Sequence, residues 1–566
     1  MSLRLFFPTI LIFNVLYAQL FGAVKNGKQA FSDTEPSVLT ISRTAYKDKL
    51  KGFWLGSCIA NWTGLPTENR RTDFPFFTDS DFGSGKFDYV LNQNPWGADD
   101  DTDIEYVYQH AMEKYDNYNL TAQQISAEWL DHIGLPKLWV SNLSALGQMQ
   151  NGALPPVTSF PENNPMWDMI DAQLTTEIFG AFAPGRPDVA LEIGHLPVRT
   201  TAYLHSEWAS EFYIIMYSLT ASVNKALSRK EQIIWMAEEA RKRVPDWSYI
   251  ADMYDFVKAQ YESNTDKDNW EITRDEVARR YQHSVTAGYE YKYPWDAGIN
   301  FAASMVSLLY GEGDYKKTIR IGSMCGWDSD NPTATWGGFL GLLYGHKELQ
   351  VHFNKTDFAD TYNIARSRFN MPIPIDNFSD MSERGIRIID DIVRSAMGGS
   401  IEGDNWIIPE MNWQIAPSQG LKVNVPWKTI EDNDPRWLYK GFESQYNNWN
   451  ASGAYLTKGY ANCSAELTFT GTAVQYYAYR SPGGGIVSIV LDGISYGEFD
   501  QEDHSSIHGQ HYVKIFEKLD LTFGIHTIQI ICDGNTTEKT IDMLSIIETN
   551  TKYQPTEPPN PLNPNN

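Results

Sequence analysis

Two acidic clusters, Asp99-Asp100-Asp101-Thr102 and Asp328-Ser329-Asp330-Asn331, lie more than two hundred residues apart, each set in apolar, helix-compatible sequence. Adjacent aspartates repel one another, so a fold that gathers five carboxylates beside a core needs cations to hold them. Hard divalent ions bound through oxygen suit such a set, Mg²⁺ or Ca²⁺ foremost. The competing reading is a pair of solvated acidic loops. A third segment weighs against it. Gly52, Gly56, Ala60 and Gly64 recur every four residues, which leaves one helix face nearly bare and predicts close contact with another helix.

Composition narrows the function classes. The chain has 566 residues, 42% hydrophobic and 13% aromatic, enough for more than one folded domain. A formal charge of −25 with no offsetting basic stripe argues against nucleic-acid binding. Arg4 followed by the apolar run Leu5 to Leu16 resembles a secretory signal cleaved between Ala18 and Ala23. That run is short for a membrane span, and no later segment is long and apolar enough. The expected location is therefore secreted or periplasmic. Nothing in the sequence fixes the oligomeric state.

The period of the pattern changes along the chain. Signal (1–23) and polar lead (24–42) precede helical patterns over 43–400, among them Thr121–Ile133, Ala209–Leu227, Lys230–Val244 and Arg274–Ala287. Ser228 followed by Glu231 reads as a capping box. A Gly-, Pro-, Asn- and Trp-rich connector (401–429) leads to alternating segments at Ser464–Thr470, Ala473–Tyr479, Gly485–Leu491, His526–Cys532 and Thr540–Ile547. Turn residues separate them, which is the pattern of an antiparallel sandwich over 430–548. The tail, 549–566, is Pro/Asn-rich and expected to be disordered. Cys463 and Cys532 fall on separate predicted strands and are a candidate disulfide, whereas Cys58 and Cys325 read as buried apolar residues. No spacing resembles a zinc site. Eight Asn-x-Ser/Thr sequons occur, and Asn61 among them sits inside a site motif.

Taken in order, the segment ending Gly64-Leu65-Pro66-Thr67-Glu68, the Asp-Asp-Thr cluster and Gly326-Trp327-Asp328-Ser329-Asp330 resemble the ADP-ribosylglycohydrolase family, in a distant secreted branch. Phe179-Gly180-Ala181, Leu204-His205-Ser206-Glu207 and Gly311-Glu312-Gly313-Asp314 fit its intervening segments. The resemblance implies a multidomain chain, with an all-α catalytic domain followed by the sandwich. Leu521-Thr522-Phe523-Gly524-Ile525-His526-Thr527 makes the latter similar to galactose-binding-like, carbohydrate-binding modules.

The resemblance further implies two Mg²⁺ ions, with Mn²⁺ or Ca²⁺ as substitutes, held by Asp99, Asp100, Asp101, Asp328, Asp330 and Asn331. Asp99 and Asn331 stand where many members carry Thr, and Asn61 where many carry Asp. Glu68, Asp101 and Asp328 are the candidate catalytic residues, with Glu68 as general acid, general base or gate. Trp327 is the candidate for stacking on a sugar ring. Tyr476, Tyr477, Tyr479 and Arg480 are candidate sugar contacts of the sandwich. His205 reads as a helix-packing residue rather than a catalytic one. The expected function is metal-dependent hydrolysis of a glycosidic bond in an extracellular oligo- or polysaccharide. The alternatives are release of ADP-ribose from N- or O-linked conjugates and a non-catalytic, lectin-like role.

Overall fold

Helix α1 (Arg43–Gly64) runs through the middle of the helical half in the computed structural model, and its burial explains its sequence. The structure describes residues 38–97, 100–134, 138–363, 368–410, 427–447, 451–504 and 509–549, with 415, 417 and 418. The signal, most of the polar lead, Asp99, most of the connector and the tail beyond Thr549 lie outside these. The Ser42 hydroxyl caps α1 by accepting from the Ala45 N–H at 3.1 Å.

Fifteen further helices follow among the described residues. They are α2 (Asp100–Tyr115), α3 (Ala122–His132), α4 (Val140–Gln150), α5 (Asp171–Thr175), α6 (Glu177–Phe182), α7 (Pro187–Val198), α8 (His205–Leu219) and α9 (Arg229–Arg241). Then come α10 (Tyr249–Ser263), α11 (Glu271–Val277), α12 (Ala297–Gly311), α13 (Tyr315–Cys325), α14 (Asp330–Tyr344), α15 (His346–Phe353) and α16 (Phe378–Ser395).

The bare face of α1 does what its spacing predicts: it lies backbone to backbone against α14. A Cβ on Gly52 would stand 2.3 Å from the Gly341 oxygen, and one on Gly56 2.4 Å from the Gly337 oxygen. Gly341 and Gly337 return the contact, at 2.1 Å from the Gly52 oxygen and 2.2 Å from the Ala60 Cβ. Ser228 and Glu231 form the expected capping box on α9. Two expected helices are shorter than their patterns. The segment read as Ala209–Leu227 starts earlier and stops at Leu219, and Arg274–Ala287 gives way after Val277 to a π-turn, Ala278–Gln282.

Strand β1 (Val38–Ser42) falls in what reads as polar lead. It pairs with β5 (Asn405–Pro409), which also pairs with β4 (Ser400–Glu402), so the segments flanking the helical domain form a small sheet of their own. A short ribbon joins β2 (Thr361–Asn363) to β3 (Ile375–Asn377).

The C-terminal half is an antiparallel sandwich. Its strands are β6 (Trp427–Glu431), β7 (Leu438–Asn447), β8 (Tyr455–Gly471), β9 (Ala473–Arg480), β10 (Ile486–Leu491), β11 (Ile494–Asp500), β12 (Gln510–Lys518), β13 (Gly524–Cys532), β14 (Lys539–Ile541) and β15 (Met543–Ile547). One sheet is ordered β11-β10-β13-β8-β14, with β7 also on β8, and the other β12-β9-β15-β6. Alternate residues such as Leu467, Val474, Ile489, Ile530 and Leu544 fill the space between them. Cys463 and Cys532 form a disulfide that closes a separation of 69 residues. The segment read as one strand, Thr540–Ile547, divides at Asp542 into β14 and β15, which belong to different sheets.

The two halves share a core. Tyr477, Tyr512 and Met543 of the sandwich are buried in the same apolar cluster as the helical domain. The Glu162 carbonyl accepts from Gln475 Nε2 and Lys514 Nζ, each at 2.9 Å. Here the structure corrects the sequence reading. Tyr476 lies inside the sandwich, its hydroxyl donating to the Thr540 carbonyl at 2.5 Å, and Tyr477 faces the helical domain. Tyr479 packs at a tilt against His511, 4.4 Å between ring centroids, and Arg480 is half-buried. This strand serves packing, so its aromatic residues do not form an open sugar-binding face.

Candidate active site

Each acidic motif sits at the start of a helix, and the end of α1 reaches both through Asn61. Asp100 and Asp101 open α2, and Asp330 opens α14. The positive end of each helix dipole therefore faces the carboxylates, which partly offsets their repulsion. Gly64 at the end of α1 touches Asp330, where a Cβ would stand 2.5 Å from its Cα. Asn61, one turn earlier, joins the motifs: its Nδ2 donates to Asp101 Oδ2 at 2.5 Å and to Asp330 Oδ2 at 3.3 Å. At 1% exposure Asn61 is inaccessible as a sequon, and Asn142, also a sequon, is buried too.

The turn after α1 carries Glu68 and is stapled to the second motif. The Thr67 hydroxyl donates to the Ser323 carbonyl at 2.6 Å and lies 2.9 Å from Ser329 Oγ. The Asn69 N–H donates to the Trp327 carbonyl at 2.9 Å, and the Trp327 N–H to the Arg71 carbonyl at 3.1 Å. Trp327 takes a positive φ of 55° after Gly326, whose Cβ would collide with the Arg71 oxygen at 2.5 Å. The result brings carboxylate oxygens of Glu68, Asp328 and Asp330 within 4.8 Å of one another.

These residues line a cavity of about 220 Å³ together with Asp100, Asp101 and Asn331. Asp99 lies outside the described residues. Trp327 is a correction: it is fully buried, packed on Phe76 with its Nε1–H donating to Gln282 Oε1 at 2.9 Å, and does not line the cavity. Its conformation turns the ring away from the acidic residues and into the core. Trp139 and Trp295 provide the aromatic wall instead. His205 stacks on Tyr249 at 3.9 Å, outside the cavity, as a packing residue.

Sequence reasoning missed Asp171, which also lines the cavity. It stands on the short helix α5 in no recognisable motif, so only the fold brings it here. It accepts from Ser141 Oγ at 2.5 Å and from the N–H groups of Ser141 and Asn142 at 3.2 and 3.3 Å, at the start of α4. Burial pushes its carboxyl up to about 6 against those hydrogen bonds. Outside the cavity lining, Glu105 and Glu177 form a buried acidic pair. Burial pushes Glu177 up to about 8, and burial together with the Glu177 charge raises Glu105 well above the ordinary range.

The donor set fits divalent cations. Carboxylates from two helix starts and one turn converge as hard oxygen ligands. Asn331 lines the same cavity and can add its amide oxygen to the set.

The fold and this acidic cavity agree with what the comparisons return: the chain belongs to the ADP-ribosylglycohydrolase family, whose profile matches residues 42–369. That family consists of hydrolases that typically use divalent metals. Over 108 residues the chain is 30% identical to the A type blood alpha-D-galactosamine galactosaminidase of Flavonifractor plautii, covering 19% of this chain and 10% of that protein. Over 133 residues it is 29% identical to the A type blood N-acetyl-alpha-D-galactosamine deacetylase of the same organism, covering 22% and 15%. The chain thus spans 10% to 15% of the length of these curated relatives. A solved ADP-ribosylglycohydrolase-related protein complex matches 61% of this chain and 98% of its own at 13% identity and a TM-score of 0.36. The CBM35 from Cellvibrio japonicus Abf62 matches 21% and 93% at 14% identity and a TM-score of 0.18.

Proposed function

We propose that this chain is a secreted, metal-dependent glycosyl hydrolase acting on an extracellular oligo- or polysaccharide. The observation that carries the reading is the single cavity in which Glu68, Asp100, Asp101, Asp328 and Asp330 meet beside Trp139 and Trp295. Its volume of about 220 Å³ is below the range usual for drug-sized ligands and suits one sugar ring rather than a long chain. Similarity to proteins named for galactosamine-containing blood-group sugars supports a saccharide substrate.

Asp100, Asp101, Asp328, Asp330 and Asn331 would hold the cations, which when bound would supply Lewis-acid polarisation of the sugar oxygens. Trp139 and Trp295 supply apolar faces for the ring. Glu68, beside Asp328 and Asp330, takes the proton of the attacking water. Asp171, with its carboxyl pushed up to about 6, holds a proton at mildly acidic pH and donates it to the leaving oxygen. The second reading, release of ADP-ribose, is favoured by the family match itself.

Purified protein is incubated with oligosaccharides bearing different terminal sugars and with an ADP-ribosylated peptide, in Mg²⁺ or EDTA, and products are followed by mass spectrometry. EDTA-sensitive sugar release that falls at least ~100-fold in Asp330→Ala supports the proposal. Release of ADP-ribose alone selects the second reading. Full sugar-releasing activity in Asp330→Ala rules out the metal mechanism.

A further inference from the structure

A second cluster of ligand-type side chains lies away from the acidic cavity, on the far part of α2 and on α3. His110 comes from the third turn of α2, while Glu128 and His132, four residues apart, share one face of α3. Glu128 Oε2 stands 3.5 Å from His110 Nε2 and 3.3 Å from His132 Nε2. The ligand atoms of the three residues all lie within 4.8 Å of one another.

Three features separate this arrangement from a chance contact. First, the Glu128 side chain is 1% exposed, yet neither its Oε2 nor His110 Nε2 has a hydrogen-bond partner among the described residues. Lys114 offsets the charge at Oε1, whereas Oε2 has only the two imidazole nitrogens beside it, and a buried carboxylate oxygen without a hydrogen bond is costly unless a cation meets it. Second, the surroundings orient each group. His132 Nδ1 lies 3.1 Å from the Phe369 carbonyl oxygen, a contact that needs an N–H there and leaves Nε2 as the nitrogen facing Glu128, the one a metal would take from the neutral ring. Lys114 and Tyr115 donate to the other carboxylate oxygen, Oε1, at 2.6 and 2.7 Å. Metal-binding histidines and carboxylates are held by such outer partners. Third, the spacing is metric. Ligand bonds of about 2.0–2.1 Å in a tetrahedron put ligand atoms about 3.3–3.4 Å apart.

We propose that His110, Glu128 and His132 form a binding site for a borderline divalent transition ion, Zn²⁺ foremost. Two imidazoles and one carboxylate match that class of ion better than Mg²⁺ or Ca²⁺, which take oxygen ligands. The site borders a surface cavity of about 730 Å³ lined by His110 and His132, from which water completes the coordination. Its place in the fold gives it a structural role. It ties α3 to α2, whose first turn carries Asp100 and Asp101. The zinc-like pattern is invisible in the sequence because its first ligand comes from a different helix.

The test uses full-length protein carrying Asp328→Asn and Asp330→Asn, stripped by a chelator and titrated with Zn²⁺ alone. The expected result is about one Zn²⁺ per chain, with X-ray absorption showing imidazole scattering. Adding His110→Ala or His132→Ala lowers the affinity at least ~100-fold. Absence of Zn²⁺ binding, an oxygen-only shell, or unchanged affinity in both histidine variants overturns the proposal. If the histidine variants do not fold, the absorption spectrum of a His504→Ala chain with His110 and His132 intact decides: two imidazoles per Zn²⁺ support the site, and fewer overturn it.

Discussion

Asn61 shows how one side chain stands in for a charge arrangement. Its amide donates to a carboxylate of each acidic motif, so it draws Asp101 and Asp330 together before any cation arrives. An aspartate there would add a third negative charge and remove both donors. Asn61→Asp is therefore expected to cost about 1–3 kcal/mol of metal-free stability, the scale of hydrogen bonds to charged groups. Saturating Mg²⁺ should restore most of it. Urea unfolding with EDTA and with Mg²⁺ reads both quantities, and a metal-free stability equal to that of the unmodified chain would show that Asn61 does not hold the motifs. Trp327 teaches a related lesson. Its position beside Asp328 suggests a sugar platform, but a positive φ turns its ring into the core, where it secures the turn that carries Glu68.

Among elements, the α1–α14 pair matters most, since Gly64 and Asn61 on one helix meet Asp330 on the other. Gly56→Ala places a methyl group 2.4 Å from the Gly337 oxygen, and backbone on both sides leaves nothing flexible to yield. The expected cost is about 1–3 kcal/mol, with weaker Mg²⁺ binding because Asp330 moves with α14. Gly483→Ala, where a Cβ meets nothing within 4 Å, is the control and should be nearly neutral. Thermal unfolding and calorimetric Mg²⁺ titration of both variants check this. The four-residue spacing of small residues made this contact legible from sequence, because close helix approach has few other solutions. The early end of the helix read as Arg274–Ala287 was not legible, because a π-turn leaves the apolar pattern intact while redirecting the chain.

At the scale of the whole molecule, the sandwich packs against the helical half close to the cavity. Strand β12 packs on α4, whose entry residues Trp139 and Val140 line the cavity. Trp295, which also lines the cavity, stacks on Tyr293 at 5.5 Å, and the Tyr293 hydroxyl donates to the Glu431 carboxyl at the end of β6. The sandwich is itself tied by the Cys463–Cys532 disulfide, a closure contributing roughly 4 kcal/mol by the loop-entropy argument. A shared apolar core of this kind predicts one calorimetric unfolding transition for both halves. Tyr477→Ala should lower stability by about 3–5 kcal/mol and separate that transition into two. Two transitions in the unaltered chain would mean that the interface does not couple the halves.

The sequence by itself determined the helical domain, the sandwich, the α1 contact face and the acidic side chains on which the proposed chemistry depends. These follow from period, small-residue spacing and charge density, all local properties of the chain. Only the tertiary structure decided which aromatics face the cavity, that Asp171 joins it, that His110 meets Glu128 and His132, and that Tyr477 is packing rather than display. Each of those outcomes depends on how separate helices and strands are oriented when they pack, and neither composition nor periodicity records the direction in which a side chain points across an interface.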